Sequence, residues 1–192
     1  LNGGAGDDLL VGGPGNDQFT SDSGNDIYLY RLGDGNDIID YGHGAVTGNQ
    51  DVLHFENISI DGIRLVKQTY DLVIEVLADG GSVTFDDWFH FNVGAESQIP
   101  YFQFGDSERV SKAELFNQMP VYTFATEAAG AYSGFEGTDW MEGNAGNDQF
   151  SGGSGDDQLR GEGGDDILNG GAGDDLLVGG PGNDQFTSDS GN

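Results

Sequence analysis

Large apolar residues recur at every ninth position through residues 143–187, and an Asp stands two residues before each of them. The stretch divides into five blocks in one register: GNAGNDQFS, GGSGDDQLR, GEGGDDILN, GGAGDDLLV and GGPGNDQFT. The same frame extends back over residues 134–142, where Asp139 and Met141 take the sixth and eighth places. A fixed period of this length predicts one small structural unit that is stacked many times.

Each block combines a turn with a very short strand. In its last three residues the eighth side chain points to one face and its neighbours to the other, because strand side chains alternate. The first six residues form turns, since Gly accepts positive φ and Asp and Asn bond to local amides. Two blocks make one coil, so loops two blocks apart stack on the same edge. Carbonyl and carboxylate oxygens of stacked loops then form an all-oxygen cage suited to Ca²⁺.

A second set of blocks opens the chain. GGAGDDLLV, GGPGNDQFT and SDSGNDIYL begin at residues 3, 12 and 21, and LGDGNDIID at 32–40 follows after eleven residues instead of nine. Residues 1–25 also recur without change as residues 168–192, an offset of 167 residues. This duplication predicts a tandem array of which the chain is a fragment, an expectation that also fits an opening residue other than Met. Duplication by design is the alternative.

The stretch from residue 51 to residue 119 differs in kind from the blocks. Glycine thins out and strand-like runs appear: DVLHF, IRLVKQT, LVIEVLA, SVTFDDWF and QIPYFQF. Asp79-Gly80-Gly81 predicts a tight hairpin. The capping-box spacing of Ser111 and Glu114, followed by Pro120, predicts a short helix. We expect a core built from Trp88, Phe89, Phe91, Tyr101, Phe102 and Phe104.

Charge narrows the possible partners. The net charge is −28, from 34 acidic and 6 basic residues, and cysteine is absent. Such a surface argues against nucleic acid and anionic membranes, which need Lys and Arg. No apolar run approaches the roughly 18 residues of a membrane span, so we expect no membrane insertion. The acids stand at fixed repeat positions, which favours cation binding over solubility alone.

A glycine-rich, acidic composition is also typical of disordered linkers. An apolar residue at every ninth position argues against disorder in the calcium-loaded chain. Without calcium, stacked carboxylates repel one another and one apolar residue a block makes a thin core. We therefore expect a disordered calcium-free chain in which ion binding and folding are one event.

The blocks resemble the RTX (repeats-in-toxin) family of calcium-binding nonapeptides, GGxGxDxUx with U large and apolar. Phe135, Asn144 and Glu162 depart from the pattern by replacing the second glycine. The resemblance implies a parallel β-roll that holds about five to seven Ca²⁺ ions between adjacent loops. It also implies a secreted protein that a type I secretion apparatus exports unfolded.

By the family pattern, the sixth-position aspartates supply side-chain oxygens to calcium: Asp8, Asp17, Asp26, Asp37, Asp139, Asp148, Asp157, Asp166, Asp175 and Asp184. The loop glycines and their neighbours supply backbone carbonyls: Gly4, Gly6, Gly13, Gly15, Gly24, Gly137, Gly146, Gly153, Gly155, Gly164, Gly171, Gly173, Gly180, Gly182, Asn147, Asp156, Asp165 and Asp174. We expect well-formed sites among Asp139 to Asp175 and weaker ones near Asp184, whose next loop is cut off.

The middle stretch is similar to the haemolysin-type calcium-binding-related domain, through DVLHF, DLVIEV, GGSVTFDDWF and FQFGDS. The whole chain is then expected to be all-β, with a calcium-bound parallel β-roll at both ends flanking a small, mainly antiparallel β domain with one short helix. The expected divisions are a roll over 1–49, the middle domain over 50–120, a lead-in over 121–133 and a second roll over 134–192.

No pattern of an enzyme active site is present. His43, His54 and His90 have no partners at zinc-ligand spacing, and the HExxH, GxSxG and P-loop patterns are missing. Asp86 and Asp87 are adjacent in a predicted strand and so point to opposite faces, which suits no glycosidase pair. Trp140, at the seventh position of its block, could stack on a sugar but is expected to pack along the roll edge.

The sequence therefore predicts a non-catalytic calcium-binding structural repeat, secreted or on the cell surface, whose partners are calcium, the type I secretion apparatus and neighbouring repeats. Two alternatives remain open: an adhesin-like or carbohydrate-binding module, and an accessory domain of a secreted protease or lipase. Because a strand stack cut in mid-coil exposes unpaired edges, we also expect head-to-tail association of rolls.

Overall fold

A computed structural model of the chain describes residues 1–20, 23–40, 49–86, 88, 99–126 and 129–187. The chain divides into two compact units, Leu1–Leu115 and Phe116–Asn192. Several predicted features lie outside the described residues: His43, His90, Asp87, Phe89, Phe91 and the incomplete block at 188–192.

The first unit is built on two sheets between which the early strands alternate. Its strands are β1 (Leu9–Val11), β2 (Gln18–Thr20), β3 (Ile27–Arg31), β4 (Asn36–Asp40), β5 (Val52–Glu56), β6 (Ile63–Gln68), β7 (Asp71–Val76), β8 (Ser82–Phe85), β9 (Tyr101–Phe104) and β10 (Val110–Ser111). One sheet runs β1-β3-β5-β9 in parallel, and the other runs β2-β4-β8 in parallel. The roll thus continues into the middle stretch, because β5, β8 and β9 extend its two sheets.

The antiparallel pairing expected of the middle stretch is confined to its hairpins. β6 pairs with β7, β7 pairs with β8, and β10 pairs with β9. The β7–β8 turn contains Gly80 at φ +76°, as a tight Asp-Gly-Gly hairpin requires. A 3-10 turn (Ile60–Gly62) precedes β6, and β10 leads into helix α1 (Lys112–Gln118).

The predicted helix is present and begins with its capping box. The Ser111 amide donates to Oε2 of Glu114 at 2.9 Å, and the Glu114 amide donates to Oγ of Ser111 at 3.2 Å. This reciprocal pair satisfies amides that the first helical turn cannot bond internally.

Aromatic side chains fill the core of the first unit where the roll meets the middle stretch. Phe55 of β5 stacks on Phe104 of β9, with ring centroids 5.4 Å apart. Trp88 packs on Phe85 and Phe102, and all three are buried. The burial of Trp88, Phe102 and Phe104 agrees with the core expected from the sequence, whereas Tyr101, also expected there, is only half-buried.

The second unit is a regular parallel roll. Its strands are β11 (Val121–Phe124), β12 (Ala131–Ser133), β13 (Asp139–Glu142), β14 (Gln149–Ser154), β15 (Gln158–Arg160), β16 (Ile167–Ala172), β17 (Leu176–Val178) and β18 (Gln185–Thr187). One face carries β11-β13-β15-β17 and the other β12-β14-β16-β18, and every one of these pairs is parallel. Paired strands are 18 residues apart, as in Leu159 opposite Leu177, so two nonapeptides make one coil.

The eighth-position side chains form the interior of this roll. Met141, Phe150, Leu159 and Leu168 make one buried cluster, against which Ala125, Tyr132 and Leu177 pack. Seventh-position neighbours point outward, as Ile167 and Leu176 do. The nine-residue apolar pattern therefore gives one buried side chain per half-coil, and the loops between strands are left to form the edges.

Candidate calcium-binding loops

Sixth-position aspartates form an inner ladder along each edge of the rolls. The Asp139 amide donates to Oδ1 of Asp157 at 2.8 Å, and the Asp157 amide donates to Oδ1 of Asp175 at 3.1 Å. On the opposite edge, the amides of Asp148 and Asp166 donate to Oδ1 of Asp166 and Asp184. In each of these pairs, Oδ1 of the later aspartate thus accepts a hydrogen bond from the loop of the preceding coil.

The second oxygen of several of these carboxylates is buried without a hydrogen-bond partner in the described part of the chain. This holds for Oδ2 of Asp8, Asp157, Asp166 and Asp175. A buried carboxylate oxygen with no donor is strongly unfavourable unless a cation or proton compensates for it. Two other sixth-position aspartates differ: Oδ2 of Asp139 accepts the Phe135 amide at 2.7 Å, and Oδ2 of Asp148 accepts the Asn144 amide at 3.1 Å.

Glycine at the first position of a block keeps a space open beside that oxygen. A methyl group on Gly161 would collide with Oδ2 of Asp166 and would lie 2.8 Å from the carbonyl oxygen of Gly179, in the next coil. The same arrangement surrounds Gly152, where the oxygens belong to Asp157 and, at 2.5 Å, to Gly170. Carboxylate and carbonyl oxygens therefore converge on one space between stacked loops.

Glycine at the fourth position lets consecutive loops approach closely. A methyl group on Gly155, Gly164, Gly173 or Gly182 would strike the carbonyl of the fourth-position glycine one coil earlier. Gly24 stands in the same relation to Gly6 in the first unit. By contrast, a methyl group on Gly4, Gly6 or Gly13, in the first coil, would meet nothing within 4 Å.

Fifth-position side chains form a separate outer ladder that runs in the opposite direction. The Asp174 amide donates to Oδ1 of Asp156 at 2.9 Å, and the Asp165 amide donates to Oδ1 of Asn147 at 2.9 Å. Here the amide of the later coil bonds to the side chain of the earlier one, the reverse of the inner ladder. These side chains are exposed, so the carboxamide oxygen of Asn147 and the carboxylate oxygen of Asp156 link the loops on their solvent side.

The first unit has the same inner ladder with one member that the nine-residue frame did not predict. The Asp8 amide donates to Oδ1 of Asp26 at 2.9 Å, and the Asp17 amide donates to Oδ1 of Asp37 at 3.0 Å. The Asp26 amide then donates at 2.8 Å to Oδ1 of Asp51, which lies 25 residues later. Asp51 therefore occupies a sixth position, and the Gln50 amide likewise continues the outer ladder by donating to Oδ1 of Asn25.

The ladders end where an acid is replaced. Val83 pairs with Asp37, so Val83 takes the sixth position in the next coil. Tyr101 pairs with Val52, so Pro100 takes the position that Asp51 holds one coil earlier. At the start of the second unit, the Gly130 amide donates to Oδ1 of Asp148. The strands β11 and β12 thus complete a first coil that contributes no sixth-position acid.

Burial makes the inner ladder unfavourable for unpaired negative charge. Burial raises the pKa of Asp157 to about 6; the Asp139 amide opposes the rise, and the charges of Asp175 and Asp156 add to it. Burial likewise raises the pKa of Asp37 to about 6. The pKa of Asp166 is raised for the same reason.

The donor set suits a hard cation with many oxygen ligands. Within the described ranges, no three Asp, Glu, His or Cys side chains converge to hold a metal ion. An ion in this space would have to take most of its ligands from backbone carbonyls, with carboxylates supplying the charge. Ca²⁺ accepts six to eight such oxygens in flexible geometry, so the residues present fit it.

The sequence model of one known family matches the chain. It is described as the RTX calcium-binding nonapeptide repeat (4 copies), and it matches residues 1–28, 133–168 and 160–192. The match covers both end segments of the chain. Residues 29–132 lie outside the match, so the likeness of the middle stretch to the haemolysin-type domain stays a prediction. No curated protein matches the chain.

The RTX match and the loop geometry coincide at the sixth-position aspartates. The carboxylates that were predicted to bind calcium form the inner ladder. Four other predicted ligands lie on the outer ladder and could offer only backbone oxygens to the inner space: Asn147, Asp156, Asp165 and Asp174. Asp51 belongs to the inner ladder although it lies beyond the matched residues. The signal that could have found it is GNQDVLHF, which keeps an Asp two residues before Leu53.

Proposed function

We propose that both units hold Ca²⁺ between stacked loops and that the chain folds when these ions bind. The observation that carries the proposal is the Oδ2 atom that is buried without a donor in several of these aspartates; at Asp157 and Asp166 it borders the same space as a carbonyl of the next coil. An ion in that space would attract both oxygens. The ion would therefore supply free energy that the folded roll otherwise lacks.

The inner ladders set the number of sites in this proposal. Each pair of consecutive aspartates on a ladder closes one cage, which gives three cages in the first unit and four in the second. The seven pairs are Asp8–Asp26, Asp17–Asp37, Asp26–Asp51, Asp139–Asp157, Asp157–Asp175, Asp148–Asp166 and Asp166–Asp184. Asp175 and Asp184 have no further coil beyond them among the described residues.

The biological role that we infer is a non-catalytic structural repeat of a secreted protein. Extracellular modules bind Ca²⁺ at about 10⁻⁴ to 10⁻³ M, well above the free concentration inside a cell. The chain would stay unfolded during passage through a type I secretion apparatus and fold outside. Folding by ligand binding would then oppose return into the channel. Among the described residues, no helix has the length and apolar character needed to cross a membrane.

Far-UV circular dichroism tests the proposal. We expect the spectrum of a disordered chain in chelator and a β spectrum in millimolar Ca²⁺, with reversal when chelator is added again. Mg²⁺ at the same concentration is the control, because it demands a tighter octahedral shell and releases its water reluctantly. A spectrum that does not respond to Ca²⁺, or responds equally to Mg²⁺, would contradict the proposal.

A second candidate function is sugar binding by a row of aromatic side chains on the outer face of the second unit. Tyr122 stacks on Trp140 with centroids 5.2 Å apart, and on Phe124 with centroids 6.4 Å apart. Phe124 is 41 % exposed. Parallel, partly exposed rings are able to stack on a sugar face, although the Trp140–Tyr122 contact also fits the expected edge packing.

A glycan array in Ca²⁺ that compares the unaltered chain with Y122A distinguishes sugar binding from edge packing. Binding that is lost in Y122A favours the sugar site, and a blank array excludes it.

A further inference from the structure

The second position of a block takes one of two backbone conformations. Its φ lies in the left-handed region at Gly4, Gly13, Gly33, Gly153, Glu162, Gly171 and Gly180. At Phe135 and Asn144, φ is not positive. Asp22, which takes this position in the block of Asp26, lies outside the described residues. Loops of the same repeat therefore fall into two groups.

The two groups differ in the hydrogen bonding of Oδ2 in the same block. Where φ is positive, Oδ2 is buried without a hydrogen-bond partner within the described ranges in four blocks, those of Asp8, Asp157, Asp166 and Asp175. Where φ is not positive, the second-position amide donates to Oδ2: Phe135 to Asp139 at 2.7 Å, and Asn144 to Asp148 at 3.1 Å. The backbone at the second position thus governs whether this oxygen has a donor from its own loop.

Glu162 separates the effect of conformation from the effect of glycine. Its block lacks a second glycine, as the blocks of Phe135 and Asn144 do. Yet Glu162 adopts φ +71°, and Oδ2 of Asp166 has no donor. A side chain in the left-handed region is sterically unfavourable. The open oxygen therefore accompanies the backbone conformation even where that conformation is strained.

Oδ2 borders the same kind of space in both groups. A methyl group on Gly143 would lie 2.9 Å from Oδ2 of Asp148 and would collide with the carbonyl of Gly161, one coil later. A methyl group on Gly134 would likewise lie 2.5 Å from Oδ2 of Asp139. The spaces beside Asp157 and Asp166 have this arrangement too, so the groups differ in the second-position amide and not in the oxygens that surround the space.

We propose that the second-position residue sets the calcium affinity of its cage. In the second unit, the cages that begin at Asp139 and Asp148 then bind Ca²⁺ more weakly than those that begin at Asp157 and Asp166. The proposal rests on the calcium cages proposed above and adds an order in which they fill.

The physical reason is that an oxygen with a donor gains less from an ion than an oxygen without one. A buried carboxylate oxygen without a partner destabilises the calcium-free loop, and an ion removes that cost. At Asp139 and Asp148 an amide has already removed it, and the positive end of the N–H dipole points at the oxygen that the ion would share. A hydrogen bond to a charged group corresponds to at least about a tenfold change in an equilibrium constant, so we expect the dissociation constants to differ by that factor.

Two tiers of affinity give the second unit a graded response to calcium. The cages that begin at Asp157 and Asp166 fill at lower Ca²⁺ concentration, and those that begin at Asp139 and Asp148 fill at higher concentration. The coil of residues 134–151 keeps its amide bonds to Oδ2 without an ion. Its loops therefore depend least on calcium.

A calcium titration of the full chain, followed by NMR of isotope-labelled backbone amides, resolves the cages one by one. The reporters are the second-position amides of Phe135, Asn144, Gly153 and Glu162. We expect the signals of Gly153 and Glu162 to reach their final positions first. Those of Phe135 and Asn144 should continue to move up to about tenfold higher Ca²⁺.

Substitutions of Asn144 isolate the backbone effect. N144G permits positive φ, whereas N144A removes the same side chain and disfavours positive φ. We expect N144G to lower the midpoint of the amide at position 144 about tenfold and N144A to leave it high. E162G is a further control, since φ is already positive there, and it should not produce the shift. F135G repeats the test in the neighbouring loop if circular dichroism shows that N144G does not fold in Ca²⁺.

The outcomes separate this proposal from the calcium proposal on which it rests. If all four reporters of the unaltered chain share one midpoint, or if N144A or E162G shifts its cage as N144G does, the role of the second position is wrong and the calcium cages stand. If no reporter responds to Ca²⁺, both are wrong.

Discussion

At the scale of single residues, the sixth-position Asp has two oxygens with different roles. In Asp157 and Asp166, Oδ1 accepts an amide of the preceding coil, while Oδ2 is left facing the next coil without a donor. The fifth-position side chain beside it is exposed and accepts an amide of the next coil, as Asp156 does from Asp174. Two adjacent acids of the same type thus differ in function because one points into the roll edge and the other out of it.

Replacing Asp157 by Asn separates these roles. D157N keeps Oδ1 for the Asp139 amide and turns an amide group toward the Gly170 carbonyl, in place of the buried charge. We expect calcium affinity at this edge to fall at least about tenfold, since even indirect partners of a metal ligand are worth that much. The calcium-free roll should become easier to form, because a buried charge is gone.

The matched control is D156N, one residue earlier. Asp156 is exposed, and Asn keeps the oxygen that accepts the Asp174 amide. Isothermal titration should show one site weakened or lost in D157N and unchanged stoichiometry in D156N. Equal effects of the two substitutions would argue against the assignment of Oδ2 as the ligand.

Gly161 allows a steric test in which no charge changes. G161A places a methyl group against Oδ2 of Asp166 and the Gly179 carbonyl, in the space assigned to the ion. We expect a loss of about 1–3 kcal/mol in stability in calcium, the usual cost of overpacking, together with weaker ion binding. The control G163A, in the same block, meets its nearest atom at an ordinary 3.6 Å. Thermal unfolding in Ca²⁺ should separate the two variants; similar midpoints would count against a cage at this place.

At the scale of elements, the nonapeptide frame predicted β13 to β18 of the second unit, because turn and strand residues recur there without interruption. It did not predict that β5 continues a roll sheet, because the strand is separated from β4 by an insertion that breaks the nine-residue register. Asp51 was missed for the same reason. The parallel pairing of β8 and β9 depends on long-range contacts, and a short apolar run carries no signal of its partner.

The ladders also predict how stability depends on pH. The pKa of Asp37 and Asp157 is raised to about 6 in the folded calcium-free chain, from 3.8 in the unfolded chain. The folded form therefore holds more protons, and its stability is greatest below about pH 4 and is lost as the pH rises through 6. Calcium needs the ionised carboxylates, so its affinity should change in the opposite direction and fall as the pH drops through 6.

Circular dichroism at about pH 5 and about pH 7.5 checks both signs. In metal-free buffer we expect more β structure at the lower pH. In a calcium titration we expect the midpoint to move to higher Ca²⁺ at the lower pH. A midpoint that does not depend on pH, or β structure that is lost on acidification without metal, would contradict the burial of these carboxylates.

At the scale of the whole molecule, the sequence predicted a roll over 1–49 and a second roll over 134–192, without predicting where the aspartate ladders end. The apolar eighth positions and the sixth-position acids define where coils form, whereas the ends of the ladders depend on single replacements such as Val83 and Pro100. Neither residue is unusual in the sequence. That each takes the place of a sixth-position acid is seen only when its pairing with the preceding coil is known. The second unit likewise begins with β11 and β12, which complete a coil without any block of the repeat pattern.

The most direct test of the account is the position of the ions in crystals grown with Ca²⁺, located by the anomalous scattering of calcium. Seven peaks are expected, one between each pair of consecutive aspartates of an inner ladder, including one between Asp26 and Asp51. The account predicts no peak at the fifth-position carboxylates or beside Val83. Ions bound at the outer ladder, or a folded roll whose inner spaces hold no calcium, would contradict it.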